Sequence, residues 1–147
     1  MGNNVLDESI GFLTGITYRK IVNLLSLELK ELEITPEQWA VLYRISEKDA
    51  INQKDIASRS GKDQPTTTRI LDALYKKGFI EKKMCKTDRR SFLVFLTESG
   101  REVVKKAAPI ELKTLEQVAQ GIEPEQLVLF KLMLRQMNEN IENTLRK

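Results

Sequence analysis

At 147 residues, 41% of them hydrophobic and 31% charged with a net charge of +3, the chain has the makeup of one soluble globular domain and excludes a disordered tail. It has no histidine and one cysteine, Cys85, which removes the commonest general base, every Ser-His-Asp or Cys-His arrangement, an internal disulfide and most zinc sites, so no enzyme, cofactor or metal site is expected. No apolar run nears the roughly 20 residues of a membrane helix, and the opening MGNNVLDESI lacks the basic stretch and apolar core of a secretory leader, which points to the cytoplasm and away from membranes.

Apolar residues recur three or four apart from Asp7 to Leu32, including Ile10, Leu13, Ile16, Ile21, Leu24 and Leu25, and predict a first helix with a broad apolar stripe. Thr35-Pro36-Glu37-Gln38 reads as the start of a second helix, with threonine as cap, proline in the first turn and glutamine to reciprocate, burying Trp39, Leu42 and Ile45. Asn52 caps a third helix through about Ser60 with Ile56 and Ala57 inward, and Gly61 ends it. Asp63 and Pro65 restart a fourth helix. Thr67, Ile70, Leu71 and Leu74 lie on its inner side, and Gln64, Pro65, Thr66, Thr68 and Arg69 largely on the other.

Gly78 stops that helix, and two β-compatible runs, Phe79 to Met84 and Ser91 to Leu96, flank the polar turn Lys86-Thr87-Asp88-Arg89-Arg90 and predict a hairpin, or wing. Thr97 caps a long helix to about Gln120, which Pro109 is expected to bend. After Gly121, Pro124 opens a last helix in which Leu127, Phe130, Leu134, Met137, Ile141 and Leu145 alternate steps of three and four, a seam suited to a partner helix.

Charge is unevenly spread along these elements. Residues 1–47 hold 4 Lys or Arg against 7 Asp or Glu, residues 48–93 hold 12 against 6, and residues 94–147 hold 8 against 8, giving −3, +6 and 0. A positive middle third is the electrostatic footprint of a nucleic-acid surface, or else an ordinary solvated face. Two short helices joined by a tight turn and followed by a basic hairpin form a winged helix-turn-helix pattern. The start of its second helix can enter a major groove, with Gln64 on adenine, Pro65 on a thymine methyl, Thr66 and Thr68 on either base or phosphate, and Arg69 on guanine or phosphate. Read singly, Gln64, Thr66 and Thr68 are also compatible with solvated helix-start residues, and Arg69 with pairing to Asp72 or Asp63. On the wing, Lys86, Asp88, Arg89 and Arg90 suit a narrow minor groove, with Asp88 orienting Arg90; the alternative is a turn-forming aspartate between solvated arginines.

The run from Asp88 to Gly100, DRRSFLVFLTESG, closely resembles the wing signature of the MarR family of bacterial transcriptional regulators, and Ile34 to Trp39 with Gln53 to Ile80 resembles that family's second helix and helix-turn-helix. The resemblance implies a mainly α fold with a small β-hairpin: a winged helix-turn-helix over about residues 35–97, with dimerisation helices over about 5–32 and 98–147. It further implies a homodimer held through Ile10 and Leu13 of the first helix and the Leu127 to Leu145 seam of the last, and a duplex-DNA-binding regulator, most often a repressor. A two-fold dimer prefers a pseudo-palindromic site with half-sites about 10 base pairs apart. Asp88 and Arg90 become the wing pair. Release by a small, often aromatic, anion is also implied, with Tyr18, Arg19, Trp39 and Tyr43 as candidates to line its cleft; Trp39 and Tyr43 also fit plain core positions, and Arg19 a surface pair. Cys85, at the end of a wing strand, is either inert or a place where oxidation would disturb DNA contact. Two further functions remain open: a winged-helix module that binds protein rather than DNA, and a small-molecule carrier of the same fold.

Overall fold

The computed structural model describes residues 4–48, 50–87 and 92–147. The chain falls into two compact units, Met1–Thr114 and Leu115–Lys147. In the first, helix α1 (Ile10–Glu28) begins where the Ser9 hydroxyl accepts the amide of Phe12. It is shorter than the apolar period predicts. At Leu29 the hydrogen bonding tightens to a 3-10 turn over Lys30–Leu32, ended by Glu33 with φ of 58°, and this tightening allows Leu29 and Ile34 to bury in succession.

Helix α2 (Pro36–Ser46) opens on the expected capping box: Gln38 N donates to the Thr35 hydroxyl at 3.1 Å and Thr35 N to Gln38 Oε1 at 3.1 Å. It buries Trp39, Val41, Leu42 and Ile45. Helix α3 (Gln53–Ser60) is capped by Asn52, whose Oδ1 accepts from Asp55 N at 2.8 Å, and ends at Gly61 with φ of 67°. Helix α4 (Gln64–Lys76) is capped by Asp63, which accepts the Thr66 amide at 2.7 Å. Its inner face, Thr67, Ile70, Leu71 and Leu74, is buried as the period requires. The Thr67 hydroxyl donates to Asp63 O at 2.7 Å, so a polar side chain enters the core with its hydrogen bond made.

Among the described residues the sheet has three antiparallel strands rather than the two the sequence predicts: β1 (Ile51–Asn52), β2 (Ile80–Met84) and β3 (Phe92–Leu96), in the order β1-β3-β2. Ile51 pairs with Val94 and Ile80 with Leu96. A two-residue strand has no period to read, so the sequence gives no sign of β1. Phe79 also differs from expectation: its amide donates to Leu74 O, so it finishes α4 instead of opening the ladder. Ile51, Ile80 and Val94 project into one core with Leu25, Leu29, Leu42, Ile56 and Leu71. Each such side chain contributes about 1.5–3 kcal/mol by leaving water.

Helix α5 (Glu98–Val118) starts against the exit of the sheet. The Thr97 hydroxyl donates to Gly78 O at 2.7 Å and accepts from Gly100 N at 3.0 Å, while Thr97 N donates to Phe79 O at 3.0 Å. Gly100 lies so close that a Cβ there would sit 2.1 Å from Phe79 O. In the second unit, Gly121, with φ of 87°, precedes helix α6 (Pro124–Leu145), where Glu123 N donates to Gln126 Oε1. Leu127, Leu134 and Met137 are half-buried, while Phe130, Ile141 and Leu145 are exposed together with Val128, Leu129, Leu132 and Met133.

Two predictions follow from this packing. Gly100→Ala forces either Phe79 or the start of α5 to move, so its urea midpoint should fall by at least the equivalent of about 1–3 kcal/mol; an unchanged midpoint would remove the close approach from the account. The Asp63 carboxyl is held below its ordinary value by the Thr66 amide and hydroxyl and by the charge of Arg69. A depressed carboxylate adds stability that is complete above the unfolded value of about 3.9 and is lost as pH falls through the folded one. Asp63→Asn keeps a capping oxygen without titrating, so the acid limb of its thermal stability, followed by circular dichroism from pH 6 to 3 (roughly the carboxylate range), should be flatter than that of the unsubstituted chain.

Candidate nucleic-acid interface

Once the inner face of α4 is buried, the rotation of the helix about its axis is set. Gln64, Pro65, Thr68 and Arg69 then face solvent, as the sequence predicts, with Thr66 half-buried at the edge. Their settings differ. Thr68 is held on both sides: its hydroxyl donates to Gln64 O at 3.0 Å and accepts from Gln53 Nε2, which comes from the start of α3. Gln53 therefore belongs to this surface, although sequence spacing gives no sign of it, because the contact crosses between helices.

Arg69 pairs with neither of the acids that the sequence suggests. Its Nη2 lies 3.3 Å from Glu37 Oε2 on α2, with the arginine side chain 69% exposed. Asp72, further along the outer face of α4, pairs instead with Lys82 of β2 at 3.1 Å, and the same ammonium stands 5.7 Å from the Tyr75 ring. Lys77 Nζ donates to Glu33 O and Gln38 Oε1, tying the end of α4 to the start of α2. Behind the helix-turn-helix, Glu47 Oε1 accepts from Arg44 at 2.7 Å and Oε2 from Arg59 at 2.9 Å, and these cations, Arg44 foremost, hold its carboxyl below the ordinary range. Two cations of the basic middle third, Arg59 and Arg69, are thus paired with carboxylates from the acidic first third.

The wing rises from β2 and β3. Lys86 is exposed, and Cys85 Sγ lies 3.1 Å from the Thr87 hydroxyl. Asp88, Arg89 and Arg90 lie outside the described residues. On β3, Phe95 receives the Lys83 ammonium 5.0 Å from its ring centre.

The four residues suggested for a ligand cleft are spread over two helices. Trp39 is in the core and touches Tyr43, with ring centres 5.3 Å apart and planes inclined by 50°, while Tyr18 and Arg19 are exposed on α1. A concavity of about 380 Å³ does open nearby, but it is lined by Val22, Thr35, Glu37, Arg69, Ile70 and Ala73 among others, and by none of the four. A smaller one, about 110 Å³, lies between Ile45, Ser46, Lys48, Phe95, Leu96 and Arg101. Ile10 and Leu13, expected at a dimer contact, are exposed on α1. Among the described residues no cluster of metal-ligating side chains occurs, and no helix is long and apolar enough to cross a membrane.

Known proteins share this architecture. Residues 34–92, from the entry to α2 through the start of β3, match the MarR family. The chain is 27% identical to a MarR protein from Peptoclostridium difficile, with 98% of this chain and 94% of that one covered and a TM-score of 0.88. It is 24% identical to BpsR from Bordetella bronchiseptica, described for regulation of its DNA binding by 6-hydroxynicotinic acid, over 93% of this chain and 98% of that one at a TM-score of 0.87. A mutant MarR from E. coli complexed with operator DNA is 24% identical over 92% and 99% of the two chains, with a TM-score of 0.83. The chain is therefore similar to the MarR family over residues 34–92, and its fold is that of the winged-helix MarR structures it matches.

Proposed function

We propose that the chain is a sequence-specific regulator of transcription that binds duplex DNA as a homodimer and represses by occupying a pseudo-palindromic operator. The observation that carries this reading is the two-sidedness of α4: a complete buried face, and an outer face presenting Gln64, Pro65, Thr68 and Arg69 to solvent at the N-terminal end of a recognition helix. Thr66, at the margin of that face, adds a hydroxyl to it. The wing residues Lys86, Asp88, Arg89 and Arg90 complete the contact, with the arginines directed to the minor groove. A regulator of this kind acts where the chromosome is, in the cytoplasm.

Dimerisation is supported by apolar area that a single chain leaves in water: Ile10 and Leu13 on α1, and Phe130, Ile141 and Leu145 on α6, which with Leu127, Leu134 and Met137 form the seam a second copy would cover. Release from DNA by a small aromatic anion is supported by the description of BpsR with 6-hydroxynicotinic acid and by that of PcaV from Streptomyces coelicolor in complex with its natural ligand. Of the four candidates for that ligand, Tyr18, Arg19 and Tyr43 are exposed and offer it contacts, whereas Trp39 is buried.

The test is binding of the purified chain to the duplex upstream of its own gene at about 50 and 200 mM salt, beside Arg90→Ala. A site with six or more phosphate contacts should lose about a thousandfold in affinity across that interval. Arg90→Ala should weaken binding at both salt concentrations, by about 1–3 kcal/mol if the arginine reads the groove. Sedimentation should give twice the mass of one chain. Absence of duplex binding at either salt would replace this reading with a winged-helix module that binds protein.

A further inference from the structure

The ion pair between Arg69 and Glu37 places an anion of the protein itself against a cation of the surface assigned to DNA. Arg69 is the long, positively charged member of that outer face, and Glu37 meets it with one oxygen at 3.3 Å rather than in a two-pronged clasp. Both side chains are well exposed, at 69% and 43%. A pair of this kind shifts an equilibrium by no more than about fivefold and can be exchanged for another anion. Arg69 and Glu37 both line an open concavity of about 380 Å³, together with Val22, Ile70 and Ala73, so the pair borders open space.

Glu37 cannot leave so readily. It lies in the first turn of α2, where the helix dipole favours a carboxylate, and the Thr35–Gln38 capping box on either side fixes the backbone that carries it. Of the other two acids near the outer face of α4, Asp63 accepts the Thr66 amide and feels Arg69 only through its charge, and Asp72 is paired with Lys82. Glu37 is thus an anchored anion whose partner is a movable cation.

We propose that Glu37 is an internal competitor of DNA for Arg69, holding the guanidinium against α2 in the unbound protein and yielding it to the duplex when α4 docks. The carboxylate therefore lowers affinity and sets part of its salt dependence. The inference rests on the DNA-binding reading above and assigns to Glu37 a role that reading does not contain.

A double-mutant cycle tests it, using the duplex upstream of the chain's own gene and the chains with Glu37→Gln, Arg69→Gln and both. Glu37→Gln keeps the size and polarity of the side chain and removes its charge. It should tighten binding up to about fivefold at low salt, with a gain that shrinks as salt rises. The gain should vanish in the Arg69→Gln background. The urea midpoint of Glu37→Gln should fall only by the small loss of a carboxylate at the helix start, which leaves both chains folded in the binding assay and excludes a folding effect. Unchanged binding by Glu37→Gln overturns the proposal. Weaker binding also overturns it, by making the carboxylate a support for Arg69, and an equal gain in both backgrounds overturns it by assigning the effect to general charge repulsion. A parent chain that binds no duplex at all overturns the DNA-binding reading and this proposal together, and is distinct from a parent that binds while Glu37→Gln has no effect.

Discussion

Burial of Thr67, Ile70, Leu71 and Leu74 against α2, α3 and the sheet fixes the rotation of α4 about its axis, and the candidate interface depends on that rotation. A turn of one residue's worth, about 100°, would carry Arg69 toward the core and bring a buried leucine to the surface. The cost of exposing even one of these side chains, about 1.5–3 kcal/mol, exceeds anything the exposed ion pairs can return. Thr67 sharpens the constraint. Its methyl packs as valine would, yet its hydroxyl is satisfied at Asp63 O only while the first turn of α4 keeps its place behind the Asp63 cap.

The same rigidity passes to the wing through a short junction. Gly78 and Phe79 offer carbonyls at the end of α4, and Thr97 takes both, one with its hydroxyl and one with its amide. The end of α4, the exit of β3 and the start of α5 are thereby joined at one point, with Gly100 supplying the clearance. β1 completes the arrangement by pairing with β3, so that α3, which follows β1 directly, is tied to the wing as well. Among the described residues, α4, the strands and the start of α5 are thus linked by hydrogen bonds.

Electrostatics at this surface are less simple than a count of lysines and arginines suggests. The middle third is basic, but Arg69, Arg59 and Lys82 each meet a carboxylate in the folded chain, two of these at Glu37 and Glu47 from the acidic first third. The positive field toward a ligand is therefore the remainder after internal pairing. Any duplex contact by Arg69 is an exchange of anions rather than a capture by an idle cation.

Helix order, caps and buried faces were legible in the sequence because they depend on neighbours three or four residues apart: the Thr35–Gln38 box, the Asn52 and Asp63 caps, the Gly61 stop and the inner face of α4 all lie where local chemistry and period put them. The wing signature and the basic middle third marked the candidate interface for the same reason, since each is a property of a contiguous stretch. What only the tertiary structure decided are relations between distant segments. Arg69 meets Glu37, Asp72 meets Lys82, Gln53 supports Thr68, β1 joins the sheet, and Trp39 takes a core position beside Tyr43. Thirty-two residues separate Arg69 from Glu37, while the two aspartates nearer along the chain are taken by the amide of Thr66 and by a strand lysine. Proximity in the chain constrains a helix; once helices pack, proximity in space chooses the partners of side chains such as Arg59, Arg69 and Lys82.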